Sequence, residues 1–386
     1  SLSTGIYMAL VGYAVMVGLP VLSTSWVEYQ GFSEVQVGRV AGADLGGFSL
    51  GALIAALFVA RVDRRHMTVV AALFAIVMNA LCIFYKGYDV TVLLRFLAGI
   101  GSGVYTGVAI ATIAGHSRPA FAFSLELFFF ACSQGAELKF LPYLSIEGIY
   151  IVFIILYVVG LLFISWLPRS PPDKSLSVDI DADELGGKHL TEGRVVPAYV
   201  PWLVVTAIVI TYIGIGAYWT YIELAALDAN TDADLVGSTL VWASFCSLLG
   251  CFIATLLSNR FGLIRPLLIA LITMATGVGL LSFGITEPKF LMSVFTFNML
   301  WIFTDVYQMG SLANFDEGGR YSAYLPASQG LGQIVGPNLA ASILSFNLGY
   351  ESVFMMCWAA AMLAMVIYWL LHRYLRITDP ELADAS

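Results

Sequence analysis

Five acidic and three basic side chains fall inside long apolar stretches of this 386-residue sequence. The acids are Asp44, Glu126, Glu137, Glu223 and Asp305; the bases are Arg39, Arg95 and Lys139. A charge in such a stretch is costly, and it survives where it faces a cavity or a partner. The four histidines, His66, His116, His189 and His372, lie instead in polar connections or near the C-terminal end. Proton chemistry within the apolar part must therefore use carboxylates, groups whose proton affinity their surroundings can tune. All five acids are candidate proton carriers.

Helical spacing sorts the neighbours of these acids onto shared faces. Asn298, Trp301, Asp305 and Gln308 form one polar and aromatic stripe, and Tyr212, Gly216, Trp219 and Glu223 form another. Glu126, Phe130, Ser133 and Glu137 align in the same way, as do Arg95, Gly99, Ser102 and Thr106. Together with Tyr13, Arg39, Tyr105 and Tyr324, the polar and aromatic members give the candidate substrate contacts: Arg95, Tyr212, Trp219, Asn298, Trp301 and Gln308. The competing reading of any such stripe is hydrogen bonding between helices that only holds them together. Arg95 needs an acid beside it, and Asp44 and Glu137 are the candidates, as a fixed brace or as a pair that switches. Arg39 could join that network. Lys139 is expected to reach for the membrane surface.

The elements that carry these residues are twelve apolar runs: residues 4–27, 35–60, 67–84, 90–114, 121–141, 146–167, 199–227, 235–258, 266–286, 290–312, 321–346 and 353–371. Each is close to the length of about 20 residues that crosses a bilayer as a helix. Hydrophobic residues make up 59% of the chain and charged ones 11%, well below the roughly 25% of soluble domains. An all-α, multi-pass membrane protein follows, with the lipid bilayer as its surroundings. Thirteen of the eighteen basic residues fall on one side if both termini are cytoplasmic, and only Lys86 and Lys289 fall in outer loops. The first run is too long for a signal-peptide core and is expected to stay.

The composition also excludes several classes. The net charge of −8 comes with no basic run for nucleic acid. The five cysteines lie within or at the ends of runs with no pairing pattern, so they read as small apolar fillers. No metal, cofactor or enzymatic nucleophile–base spacing is present, and no phosphate-binding loop Gly-x-x-x-x-Gly-Lys-Ser/Thr occurs. The absence of Asn-x-Ser/Thr acceptors, with short loops, points to a bacterial inner membrane.

The runs divide into two sets of six, joined by a polar stretch at 168–197 rich in Pro, Gly and acids. The domains expected are residues 1–167, the linker 168–197, residues 198–372 and a cytoplasmic tail, 373–386. The sets are weakly similar: "ARVDRRHM" after the second run corresponds to "NRFGLIRP" after the eighth, and "GVYTG" to "DVYQMG". Gly18 and Pro20 in the first run and Gly214 and Gly216 in the seventh read as matched interruptions, a sign of a substrate site or gate between repeats. The glycines of runs two and four read as packing residues.

These features resemble the major facilitator superfamily along the whole chain. Its loop signature is degenerate here: Arg61, Arg64 and Arg65 match the basic positions, and Ala60 stands where the family has Asp. The repeat copy keeps Arg260, Gly262 and Arg265, with Asn259 for the Asp. "RFLAGIGSG" around Arg95 is similar to the family's Arg-plus-glycine signature, and "GQIVGP" at 332–337 to a motif of antiporters that normally lies in span five. The resemblance implies twelve transmembrane helices in two pseudo-symmetric six-helix bundles. It also implies a cytoplasmic gate at Arg61, Arg64, Arg65, Arg260 and Arg265, and a central cavity lined by spans one, four, seven and ten.

The expected function is secondary active transport of a small amphipathic or aromatic organic solute by alternating access, by a monomer. Protons are favoured over sodium as the coupling ion, because buried acids are present and no sodium cage can be identified. An organic anion held by Arg39 and Arg95 is the alternative, as is a receptor or scaffold of transporter fold without transport.

Overall fold

The computed structural model describes residues 2–59, 61–116, 119–169, 199–257, 261–314 and 325–378. Among these, all regular structure is helical. The elements are α1 (Leu2–Val17), α2 (Leu19–Gln30), α3 (Glu34–Phe58), α4 (Arg64–Phe84), α5 (Tyr88–Ala114), α6 (Pro119–Phe140) and α7 (Ile146–Leu162). They continue with α8 (Tyr199–Asp228), α9 (Ala233–Leu257), α10 (Ile264–Gly279), α11 (Glu287–Asn314), α12 (Leu325–Ser345) and α13 (Gly349–Thr378). Nearly all of the expected linker lies outside the described residues, as do Arg118, Asn259, Arg260, Arg320 and Tyr324.

Each of the twelve runs coincides with one helix once α1 and α2 are taken together as a bent span. Their axes diverge by 49° at Gly18. The cause is local. Pro20 has no N–H to return to the carbonyl of Met16, so the α-helical ladder cannot continue through it. The expected counterpart in the seventh span is not a break, because α8 runs unbroken from Tyr199 to Asp228. Gly214 and Gly216 keep their N–H groups, and a helix in lipid has no better partner for them. They serve close packing instead: a Cβ at Gly214 would press on Cys357 and Ala360, and one at Gly216 on Gln333 and Pro337.

The face of the molecule at Leu2 and the opposite face, at Glu34, are useful landmarks. The turn at the Glu34 face is built by Gly31 in the left-handed conformation (φ 66°) and by Ser33, which caps α3 in a reciprocal box with Gln36. At the Leu2 face, Asp63 caps α4 by accepting from the N–H groups of Arg65 and His66.

The packing repeats between halves. α3 lies on α5 as α9 lies on α11, and α4 on α7 as α10 on α13. α1 packs on α6 as α8 packs on α12. The halves meet where α3 lies on α12 and α6 on α9, with α2 against α8 near the centre. Glycine sets the closeness of α3 on two sides. Gly47 and Gly51 face the backbone of Phe96 and Ile100 on α5, while Gly38, Gly42 and Gly46 face Pro337, Asn338 and Ile334 on α12. Large apolar side chains such as Leu57, Phe84, Trp242 and Ile269 are left exposed on the outside, as lipid contact requires.

Candidate functional site

Near mid-depth, helices of the two halves bring two acids to one tyrosine. Asp305 on α11 accepts the hydroxyl of Tyr212 on α8, which lies 2.6 Å and 2.7 Å from its two oxygens. Trp301, one turn along α11, is in hydrogen-bond contact with the same tyrosine. From the first half, Tyr13 on α1 packs against Phe48 of α3 and edge-on to Phe130 of α6, with ring centroids 5.7 Å and 5.6 Å apart. Tyr13 feels the charge of both Glu126 on α6 and Asp305 on α11. Each half thus contributes one carboxyl to the surroundings of Tyr13. Both Tyr13 and Asp305 are only half-buried.

An aromatic wall adjoins this cluster. Trp219 of α8 lies parallel to Phe297 of α11 at 6.2 Å, and Trp301 is 6.0 Å from Trp219 and 5.8 Å from Phe297. Trp219 also joins the halves, since its indole N–H donates to the carbonyl of Met16 at 3.0 Å. That carbonyl is the one Pro20 leaves without a helical partner.

Two further acids sit towards the Glu34 face. Glu137 accepts from Ser133 at 3.1 Å, and its other oxygen, without a partner, is aimed at the break at Gly18. Glu223 is 7% exposed, bonded to Thr24 of α2, and also has one unpartnered oxygen. Among the described residues no Lys or Arg is paired with Glu126, Glu137, Glu223 or Asp305.

Asp44 differs, because Arg95 neutralises it. Arg95 is completely buried, with one Nη 2.6 Å and Nε 2.8 Å from Asp44. The other Nη donates to Asn79 of α4 at 2.8 Å, and the guanidinium lies 5.5 Å from the centre of the Tyr150 ring. Of the two partners considered for Arg95, the structure selects Asp44, and Glu137 is elsewhere. The cluster ties α3, α4, α5 and α7 inside the first half. Arg39 does not join it. Its guanidinium crosses to α12, donating to the backbone and side-chain oxygens of Asn338 at 3.2 Å and 2.8 Å and to Ser342 at 3.0 Å.

Other expected contacts lie away from the central cluster. Tyr105 is buried beside Tyr157, 5.1 Å away, and against Gly160. Asn298 turns back to the carbonyl of Val294 at 3.0 Å. Gln308 donates to Thr211 at 2.9 Å and contacts Tyr368, tying α11 to α8 and α13. Tyr221 donates to the carbonyl of Glu34 at 2.6 Å, a link between halves that the spacing did not suggest. Phe48 and Phe297 were also missed, because apolar rings in apolar helices carry no signal of their own.

At the Leu2 face, Arg64 is buried and its N–H donates to the carbonyl of Arg169 at 3.1 Å. Arg65 donates to the carbonyls of Leu167, at 2.5 Å, and of Ser165. Both hold α4 to the segment that ends the first half. Arg61 and Arg265 are exposed. Lys139 is exposed at the end of α6, as expected for a side chain reaching the surface. An apolar groove of about 390 Å³ between α3, α4 and α5, lined by Phe58, Met67, Phe74 and Ile100, has no carboxyl and is separate from the site.

Residues 4–315 match the family model described as Major Facilitator Superfamily. No curated protein matches the chain. Among solved structures, the D323A mutant of the nucleoside transporter NupG superposes with a TM-score of 0.74 at 12% identity, over 96% of this chain and 99% of that one, and NupG itself with 0.72 at 12% identity, over 96% and 98%. A D-xylose–proton symporter gives 0.67 at 16% identity over 95% of each chain. The human organic anion transporter MFSD10 gives 0.58 at 14% identity, over 95% of this chain and 97% of that one. At these identities the likeness is one of fold.

Proposed function

This chain belongs to the major facilitator superfamily, and from that premise we propose that it is a secondary active transporter coupled to protons. Its substrate is a small amphipathic or aromatic organic solute, carried by alternating access between the two halves. The observation that carries this reading is the convergence of Asp305 and Glu126, from opposite halves, on Tyr13. An acid held only by a tyrosine hydroxyl can lose and regain its proton without breaking an ion pair. An acid between two moving halves can also face each side of the membrane in turn. The aromatic wall of Trp219, Phe297 and Trp301 supplies a large, rigid contact for a flat solute.

The anion alternative loses support, because the side chains of Arg39 and Arg95 are both occupied by protein partners. In this reading the Leu2 face is cytoplasmic, Arg64 and Arg65 brace that face, and the protein works as a monomer in a bacterial cytoplasmic membrane.

Proteoliposome transport tests the proposal. An imposed pH gradient should drive accumulation of the substrate, and Asp305→Asn should abolish that accumulation while leaving the melting temperature nearly unchanged. Undiminished accumulation driven by sodium alone, at equal pH on both sides, would exclude proton coupling. Wild-type accumulation by Asp305→Asn would exclude this site.

A further inference from the structure

The charges facing the central cluster are all of one sign. Tyr13 lies within electrostatic reach of Glu126 and Asp305, and Asp305 accepts the hydroxyl of Tyr212. Among the described residues no compensating base reaches it: Lys139 is exposed in the last turn of α6, and Lys289, in the first turn of α11, donates to the carbonyls of Phe283 and Gly284. On α3 and α5 the bases are Arg39, bound to Asn338 and Ser342, and Arg95, bound to Asp44. α9 packs on both α6 and α11, and its only charged residue is Asp234 in its first turn; its cysteines, Cys246 and Cys251, are neutral fillers. The base on α10 is Arg265, in its first turn at the Leu2 face and exposed. Glu137 and Glu223, further towards the Glu34 face, add unpartnered carboxyl oxygens and again no cation.

An uncharged solute would give these acids no counter-charge when their protons leave, and an anion would be repelled by them. A cation with a flat apolar body satisfies both halves of the site. Its charge meets the carboxylates, and its body meets the electron-rich faces of Tyr13, Trp219 and Trp301. We propose that the substrate class is organic cations, protonated or quaternary amines on an aromatic or apolar body, and that they bind in exchange for protons held by Glu126 and Asp305. This inference rests on the central cluster being the transport site and adds the sign of the substrate and the direction of the exchange. When a monovalent cation leaves, one proton returns to the pair of acids for each unit of charge removed, so charge in the site stays balanced at every step.

Three probes of similar body and different charge test it on the purified full chain in detergent: tetraphenylphosphonium, triphenylphosphine oxide and tetraphenylborate. Binding is read by quenching of tryptophan fluorescence, and proton release by a pH dye in weak buffer. The cation should bind on the order of tenfold or more tighter than the neutral probe. It should release protons into solution, and Glu126→Gln and Asp305→Asn should each reduce that release. Thermal unfolding confirms that each variant is folded, and release by the wild type stands as a reading that needs no variant. Equal binding of the three probes, preference for the borate, cation binding without proton release, or no binding by folded protein would each overturn the inference. Transport driven by a pH gradient is a separate assay. A pH-driven transporter of neutral solutes would keep the proposed function and lose the cation, while proton-releasing cation binding without any transport would do the reverse.

Discussion

Asp44 and Asp305 are the same residue type, one buried and one half-buried, and their neighbours give them different work. Asp44 is 2% exposed and shares its charge with Arg95, which is held in turn by Asn79 and Tyr150. Every member of that cluster belongs to the first half, so relative motion of the halves does not require it to break. That makes it a brace. Removing one member of a buried pair strands the other, at a cost of about 3–5 kcal/mol. Arg95→Ala should therefore lower the melting temperature markedly, and Arg95→Met combined with Asp44→Leu should recover most of the loss, as read by thermal unfolding in detergent. Additive losses in the double variant would mean that the pair contributes nothing as a pair. Asp305 has only Tyr212 to hold it, and a second acid across the interface. Helical spacing alone made the stripe of Asp305 and Trp301 legible. It could not show that Arg39 turns to α12 or that Gln308 turns to Thr211, because periodicity gives the face of a helix and not what that face meets.

Among the elements, the bent first span shows what one proline decides. Pro20 withdraws a donor, Met16 keeps a free carbonyl, and Trp219 of the other half fills the vacancy. Restoring the donor with Pro20→Ala should let the span straighten and compete with Trp219 for that carbonyl. Amide exchange over residues 14–22 should slow, and transport should fall several-fold. Unchanged exchange and transport would mean that packing, not Pro20, sets the bend. The spans themselves were legible because lipid demands length and apolarity that no other structure in the chain imitates. The break at Gly18 was legible through its proline. The break expected at Gly214 and Gly216 was misread, since glycine without proline weakens a helix in water but leaves its backbone bonds intact in lipid. Glycine on α3 instead reports how close a neighbour comes. Two sets on two sides of that helix allow α5 and α12 to lie against it together.

For the molecule as a whole, the links between halves gather from mid-depth towards the Glu34 face: Trp219 to Met16, Tyr221 to Glu34, and Arg39 to Asn338 and Ser342. At about 0.5–1.5 kcal/mol for each neutral bond and 1.5–3 for those of a charged donor, they sum to about 5–12 kcal/mol. A closure at the lower end of that range is one that a substrate's unequal affinity for two conformations, about 5.5 kcal/mol for a 10⁴-fold difference, can reverse. Arg39→Met should weaken it. A cysteine placed at Ala341, which is buried against Gly38, should then react faster with a membrane-impermeant thiol reagent, in a chain whose five native cysteines have been replaced. An unchanged rate would leave Arg39 no part in the closure. The carbonyl of Met16 carries one more consequence. When the halves separate at this face, Trp219 must release it, and the bent span offers no amide in return. A bare carbonyl in a dry interior costs several kcal/mol. Opening therefore hydrates: water enters with the first separation rather than after it, and the activity of the solvent becomes a term in the conformational equilibrium.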